Sequence, residues 1–195
     1  MERRTMGSIS VRRWTRAEYD RMVEGGIFAP GERVELIDGE VLAMTPQGSA
    51  HATAVRLIED ALRAAFGSGF DVRGQFPLSL DAQSEPEPDV AVVPGSPRDY
   101  RGAHPSSAVL VVEVSDTTLA FDRDQKASLY ARGGVAEYWI LNLVDRALEA
   151  YRDPAPAPEM TYGWGYRATQ SLKSGDSVSP LASSGARIVV DDLLP

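Results

Sequence analysis

Glu113 lies inside an apolar run, Val109-Leu110-Val111-Val112-Glu113-Val114-Ser115. An ionised carboxylate is costly to take out of water unless it is paired or binds a metal. A second acid, Asp89, opens a similar run, Glu87-Pro88-Asp89-Val90-Ala91-Val92-Val93, and Lys126 follows further along the chain. Two acids and a lysine on a buried sheet are the groups that metal-assisted phosphodiester hydrolysis needs. Their hard oxygens suit Mg²⁺ or Mn²⁺, with the coordination completed by a backbone carbonyl, assigned to Val114, and by waters. The metal would lower the pKa of a bound water and offset the charge that develops on a phosphate. The lysine would orient the attacking water or neutralise that charge.

The elements that position these groups follow from periodicity. Successive strand residues face opposite sides, so Val109, Val111, Glu113 and Ser115 share one face and Leu110, Val112 and Val114 the other. Both faces are apolar, which predicts a central strand with Glu113 pointing between the sheet and a helix. Asp89 leads its own strand, beyond prolines that keep the approach extended. If the two strands are neighbours, both carboxylates meet at one end of the sheet. Asp122, Lys126 and Tyr130 recur every four residues, forming one stripe on a helix from about residue 121 to 131 that ends at Gly133-Gly134.

The remaining elements are read in the same way. Thr15 and Glu18 form a capping box for a helix that ends at Gly25-Gly26. Residues 33–44 form a hairpin around Asp38-Gly39. Ser49 caps a helix to about Phe66, with Ala54, Leu57, Ile58, Ala61, Leu62 and Ala65 at helical spacing. Strands are expected over 71–80, 89–93 and 108–115, and a hairpin over 136–143 and 147–152. A loop over 153–158 leads to a final β region, 160–172 and 177–190. Strands and helices intermix, so the class is α/β or α+β with a mixed sheet.

The 195 residues, 43% hydrophobic and 25% charged, suit one domain with a real core. Residues 1–12 read as a flexible tail, basic but without the apolar segment of a secretory signal, and 13–195 as the domain. No apolar run is long enough to span a membrane, and the absence of cysteine excludes disulfides and thiolate metal sites. A cytoplasmic location fits. The net charge of −8 argues against a broad basic footprint, though not against a local groove. No G-x-S-x-G elbow or glycine-rich phosphate loop occurs, and two histidines without cysteine exclude a structural zinc site.

The strings PDVAVV, VLVVEVS, D-x-x-x-K-x-x-x-Y and GVAEYWIL, in this order, resemble the Uma-type family of bacterial restriction endonucleases. The resemblance runs from the Glu35-Leu36-Ile37-Asp38-Gly39-Glu40 block to Tyr151. It implies the PD-(D/E)XK nuclease fold, with a central mixed sheet flanked by helices, and Mg²⁺ held by Asp89 and Glu113. The superfamily's usual lysine stands two residues after the second acid. Here that position is Ser115, and the resemblance moves the lysine to the helix at Lys126. Glu35 resembles a family position close to the same site. His51 and Gln75 also match recurrent positions, without a role that can be derived.

Each residue has a plainer reading. Glu113 could form a core ion pair, Asp89 bond its own loop, Lys126 be an exposed partner of Asp122, and Glu35 face solvent on its hairpin. His51 is unremarkable near a helix start, and Tyr138-Trp139-Ile140 is core rather than a base-stacking platform. Two functions are therefore weighed. The first is a Mg²⁺-dependent DNA endonuclease using Asp89, Glu113, Lys126 and Glu35. The second is a catalytically weak or inert nuclease-fold module that binds a partner or dimerises. A homodimer would cover the edges of the C-terminal β region and give two sites for a duplex.

Overall fold

The computed structural model describes residues 11–44 and 46–195; most of the expected N-terminal tail lies outside them. Helix α1 (Arg16–Glu24) starts with Thr15 and Glu18 in a reciprocal capping box and gives way to Gly25-Gly26. Strands β1 (Val34–Ile37) and β2 (Glu40–Ala43) form the hairpin. Its turn residues, Asp38 (φ 46°) and Gly39 (φ 80°), are both left-handed, as a two-residue primed turn requires. A Cβ on Gly39 would lie 2.5 Å from the Cβ of Arg13, so the glycine also permits a close crossing.

Helix α2 (Ser49–Phe66) covers its expected span, but its N-cap is Gly48, and Ser49 is the first helical residue. It buries Ala54, Val55, Ile58, Leu62 and Phe66 against one face of the main sheet. Truncating such a residue to Ala costs about 2–5 kcal/mol.

The main sheet has six strands: β3 (Phe70–Gly74), β4 (Val90–Pro94), β5 (Leu110–Ser115), β6 (Glu137–Asn142), β7 (Ala147–Pro156) and β8 (Trp164–Lys173), in that spatial order. β5 and β6 are parallel and every other pair is antiparallel. A helical crossover joins the parallel pair: α3 (Leu119–Phe121), a π-helical turn (Asp122–Lys126) and α4 (Ala127–Arg132). Leu110, Val112 and Val114 face α2, whereas Val111 packs with Ala127 and Tyr130 of the crossover, so β5 is central and covered on both faces. Tyr138, Trp139 and Ile140 are buried core.

Several boundaries differ from expectation. The strand predicted over 71–80 ends at Gly74. Gln75 turns left-handed (φ 57°), and the chain leaves the sheet to bridge Glu85 to Leu36 on the first hairpin. The loop predicted over 153–158 is instead mostly strand, because β7 continues to Pro156. Beyond Arg152, β7 has no β6 partner, so Pro154 and Pro156 sit where a missing N–H breaks no ladder on that side. The final β region is shorter than predicted. β8 begins only at Trp164, and β9 (Ser177–Val178) and β10 (Ile188–Val189) are two-residue strands. The crossover helix begins two residues early, at Leu119.

Candidate active site

Backbone register brings the two acids together. Val90 pairs with Val112 across antiparallel β4 and β5, so the next position places Asp89 beside Glu113. The Asp89 N–H donates to Glu113 Oε2 at 3.1 Å, and the Val114 N–H donates to Asp89 Oδ2 at 2.8 Å. Each carboxylate is thus tied to the other strand. Both are buried, Asp89 at 7% exposure and Glu113 at 6%.

Lys126 reaches the same point from the π-helical turn. Its Nζ donates to Glu35 Oε2 at 2.6 Å and lies 3.4 Å from Glu113 Oε1. At 4% exposure it is no surface lysine, and it pairs with these two acids rather than with Asp122. Glu35 is buried on β1, not solvent-facing, and its Oε2 also accepts the Glu87 N–H at 3.2 Å. The hairpin is held over the crossover by Arg132, which bonds Asp38 at 2.6 Å and Asp81 at 3.0 Å. On the other side of the π turn, Arg123 grips Glu149 on β7 through two bonds. Extra-wide helical turns of this kind are frequent at functional sites.

Four further side chains complete the arrangement. The Tyr130 hydroxyl donates to Glu113 Oε1 at 2.7 Å. His51 Nε2 lies 3.1 Å from Asp89 Oδ2, while its buried Nδ1 has no partner among the described residues. The Gln47 and Gln75 amides each approach Asp89 Oδ1 at 3.4 Å. Tyr130 was visible on the Lys126 stripe and His51 and Gln75 only as recurrent positions; Gln47 carried no sequence signal. Ser115, where a lysine is usual, is buried with its Oγ 3.4 Å from Thr118 Oγ1. Val114, proposed to give a carbonyl, contributes the N–H noted above.

Electrostatics follow burial. Desolvation pushes the Glu113 carboxyl up to about 8; Lys126 opposes this, and the charges of Asp89, Asp122 and Glu35 add to it. Burial acts to lower the Lys126 ammonium, but Glu113 and Glu35 outweigh it and hold the group above the ordinary lysine value. Burial also raises Asp122 and keeps the Tyr130 phenol well above its ordinary value, so Tyr130 remains a donor. His51 sits above its usual value because Asp89 more than offsets desolvation.

Glu35, His51, Asp89, Glu113, Asp122 and Lys126 line a cavity of about 550 Å³. Among the described residues, no three His, Cys, Asp or Glu side chains converge closely enough to cage an ion alone. Asp89 and Glu113 nevertheless fit a hard divalent cation that keeps waters and takes few protein ligands, as Mg²⁺ does. Burial disfavours the charge on Glu113, and a cation bound there would favour it.

Residues 16–188 match the family model Uma2, described as "Putative restriction endonuclease". Among solved structures, the chain is similar to a "putative nuclease belonging to DUF820" from Anabaena variabilis ATCC 29413. That likeness has a TM-score of 0.61 at 15% identity and covers 83% of this chain and 89% of the other, which speaks for the fold alone. No curated protein matches.

Proposed function

The chain belongs to the Uma2 family of nuclease-like proteins, and from that premise we propose that it is a Mg²⁺- or Mn²⁺-dependent endonuclease cleaving DNA phosphodiester bonds. The observation that carries the reading is the pairing of Asp89 with Glu113 beside Lys126 on the wall of an open cavity. Asp89, Glu113 and the Val114 carbonyl would hold the cation. When bound, it would lower the pKa of a water and offset charge on the phosphate.

The chain's own residues have separate tasks. Tyr130 and the Asp89 N–H orient Glu113, while the Val114 N–H and His51 orient Asp89. Lys126 has three N–H donors; one is bonded to Glu35 and the ammonium also pairs with Glu113, which leaves donor capacity for a phosphoryl oxygen or the attacking water. Because its neighbours hold it protonated, Lys126 acts as a cation and not as a base. Glu35 is a positioning residue that fixes the ammonium.

The inert-module reading rests on one observation. Lys126 compensates Glu35 and Glu113 without any metal, so the burial of these acids does not by itself demand catalysis. Two measurements separate the readings. Calorimetric titration with Mn²⁺ should show binding by the wild type that Glu113→Gln abolishes. Nicking of supercoiled plasmid should require the cation and be lost in Lys126→Met. Absence of binding at millimolar cation, or nicking indifferent to Lys126→Met, overturns the nuclease reading.

A further inference from the structure

The cavity that holds the acids is not lined like a groove for duplex DNA. Among the described residues, Lys126 is the sole Lys or Arg on its wall, against Glu35, Glu87, Asp89, Glu113, Asp116 and Asp122. Arg33 lines an adjoining depression that shares Met44 and Gln47 with the cavity, and it is tied to Glu87 at 3.0 Å. A duplex carries one phosphate charge per ~1.7 Å of axis, and its binders match that with basic side chains. Here the wall can meet one phosphate, through Lys126 and a cation at Asp89 and Glu113; a second would face unmatched acids.

Apolar side chains, Leu42, Met44, Pro46 and Phe121, line the same cavity beside the uncharged polar Gln47, Thr117 and Thr118. Phe121 is half-buried and immediately precedes the turn that carries Asp122 and Lys126. The volume, about 550 Å³, lies within the ~300–1,000 Å³ of small-ligand pockets. A single nucleotide fits that combination: its phosphate goes to the acids and lysine, and its base to the apolar wall. A base inside a duplex is stacked and paired, so it reaches such a pocket only when unpaired.

Resting on the nuclease reading above, we propose that the substrate is single-stranded DNA, one unpaired nucleotide of which enters the cavity with its base against Phe121. Aromatic side chains are the usual sequence-tolerant platforms for unpaired bases. The acidic net charge then ceases to be an objection, since few phosphates need to be matched at once.

The test uses the full chain in two assays. In Ca²⁺, a 2-aminopurine-labelled single-stranded oligodeoxynucleotide and its duplex are titrated and fluorescence quenching is followed. In Mg²⁺ or Mn²⁺, cleavage of a single-stranded circle is compared with a relaxed duplex of the same sequence. The single strand should bind and be cut about tenfold better or more. Phe121→Leu, which keeps apolar bulk but removes the ring face, should weaken single-strand binding about tenfold, and Phe121→Trp should restore it. Quenching that depends on the ring, without cleavage in any cation, supports the pocket and sinks the nuclease reading. Cleavage of duplex at least as fast as single strand sinks this inference and leaves that reading standing. Indifference of binding to Phe121→Leu, or no binding of either form, also overturns the inference.

Discussion

Glu113→Gln tests whether the central acid carries a proton that burial forces on it. The carboxyl lies near 8 in the folded chain, against an ordinary 4.5. At ~1.4 kcal/mol per pH unit, that gap is worth about 5 kcal/mol. A raised acid holds its proton in the folded chain when the unfolded chain has released it. Its contribution is therefore full below about pH 4.5 and is lost as pH rises through about 8. The glutamine cannot titrate, so the stability of wild type relative to Glu113→Gln should fall by ~1.4 kcal/mol per unit between about pH 5 and 8, then level off. An offset is expected as well where the wild-type carboxyl is ionised. The amide has one acceptor oxygen, while Tyr130 and the Asp89 N–H address both carboxylate oxygens, so one donor is left unmet at a cost of ~1–3 kcal/mol. Urea unfolding with EDTA, from about pH 5 to 9, reads the difference. Parallel stability curves across that window would refute the claim that burial governs this carboxyl.

The same proton bears on cation binding: at pH 7, an ion displacing it should release a proton, seen as a dependence of calorimetric heat on buffer ionisation enthalpy and vanishing well above pH 8. Lys126→Met leaves Glu35 buried without its cation and should cost ~3–5 kcal/mol in urea unfolding; adding Glu35→Gln should recover part of that loss, and strictly additive effects would deny the pair. Gly39→Ala forces a Cβ to 2.5 Å from Arg13 at φ 80° and should lower stability by ~1–3 kcal/mol, whereas Gly102→Ala, with open space around it, should stay within ~0.5 kcal/mol. A Gly39→Ala melt equal to wild type would show that the crossing relaxes freely.

Local chemistry was legible because its causes are local. The Thr15/Glu18 box, the Asp38-Gly39 turn and the 18-residue span of α2 depend on neighbours within a few positions. Glu113 and Asp89 stood out because an acid in an apolar run contradicts its surroundings whatever the fold. Where tertiary partners set the outcome, local reading went astray. Pro154 and Pro156 suggested a loop, yet they lie in β7 because it stays paired with β8 to Pro156, where no β6 partner stands on the other side. Alternation past Gly74 suggested a longer strand, yet the chain departs to meet β1.

The sequence by itself determined that the chain carries two acids and a lysine on elements able to bury them. It also determined, through family resemblance, that these belong to a nuclease-like fold. The tertiary structure alone decided who compensates whom. Lys126 meets Glu35 across 91 positions, and His51 meets Asp89 from the start of α2. Contacts between segments this distant depend on strand order and on the docking of the hairpin, and no local periodicity encodes either. That assembly turned Glu113 from an isolated charge into a held one, and it placed Phe121 on the same cavity wall.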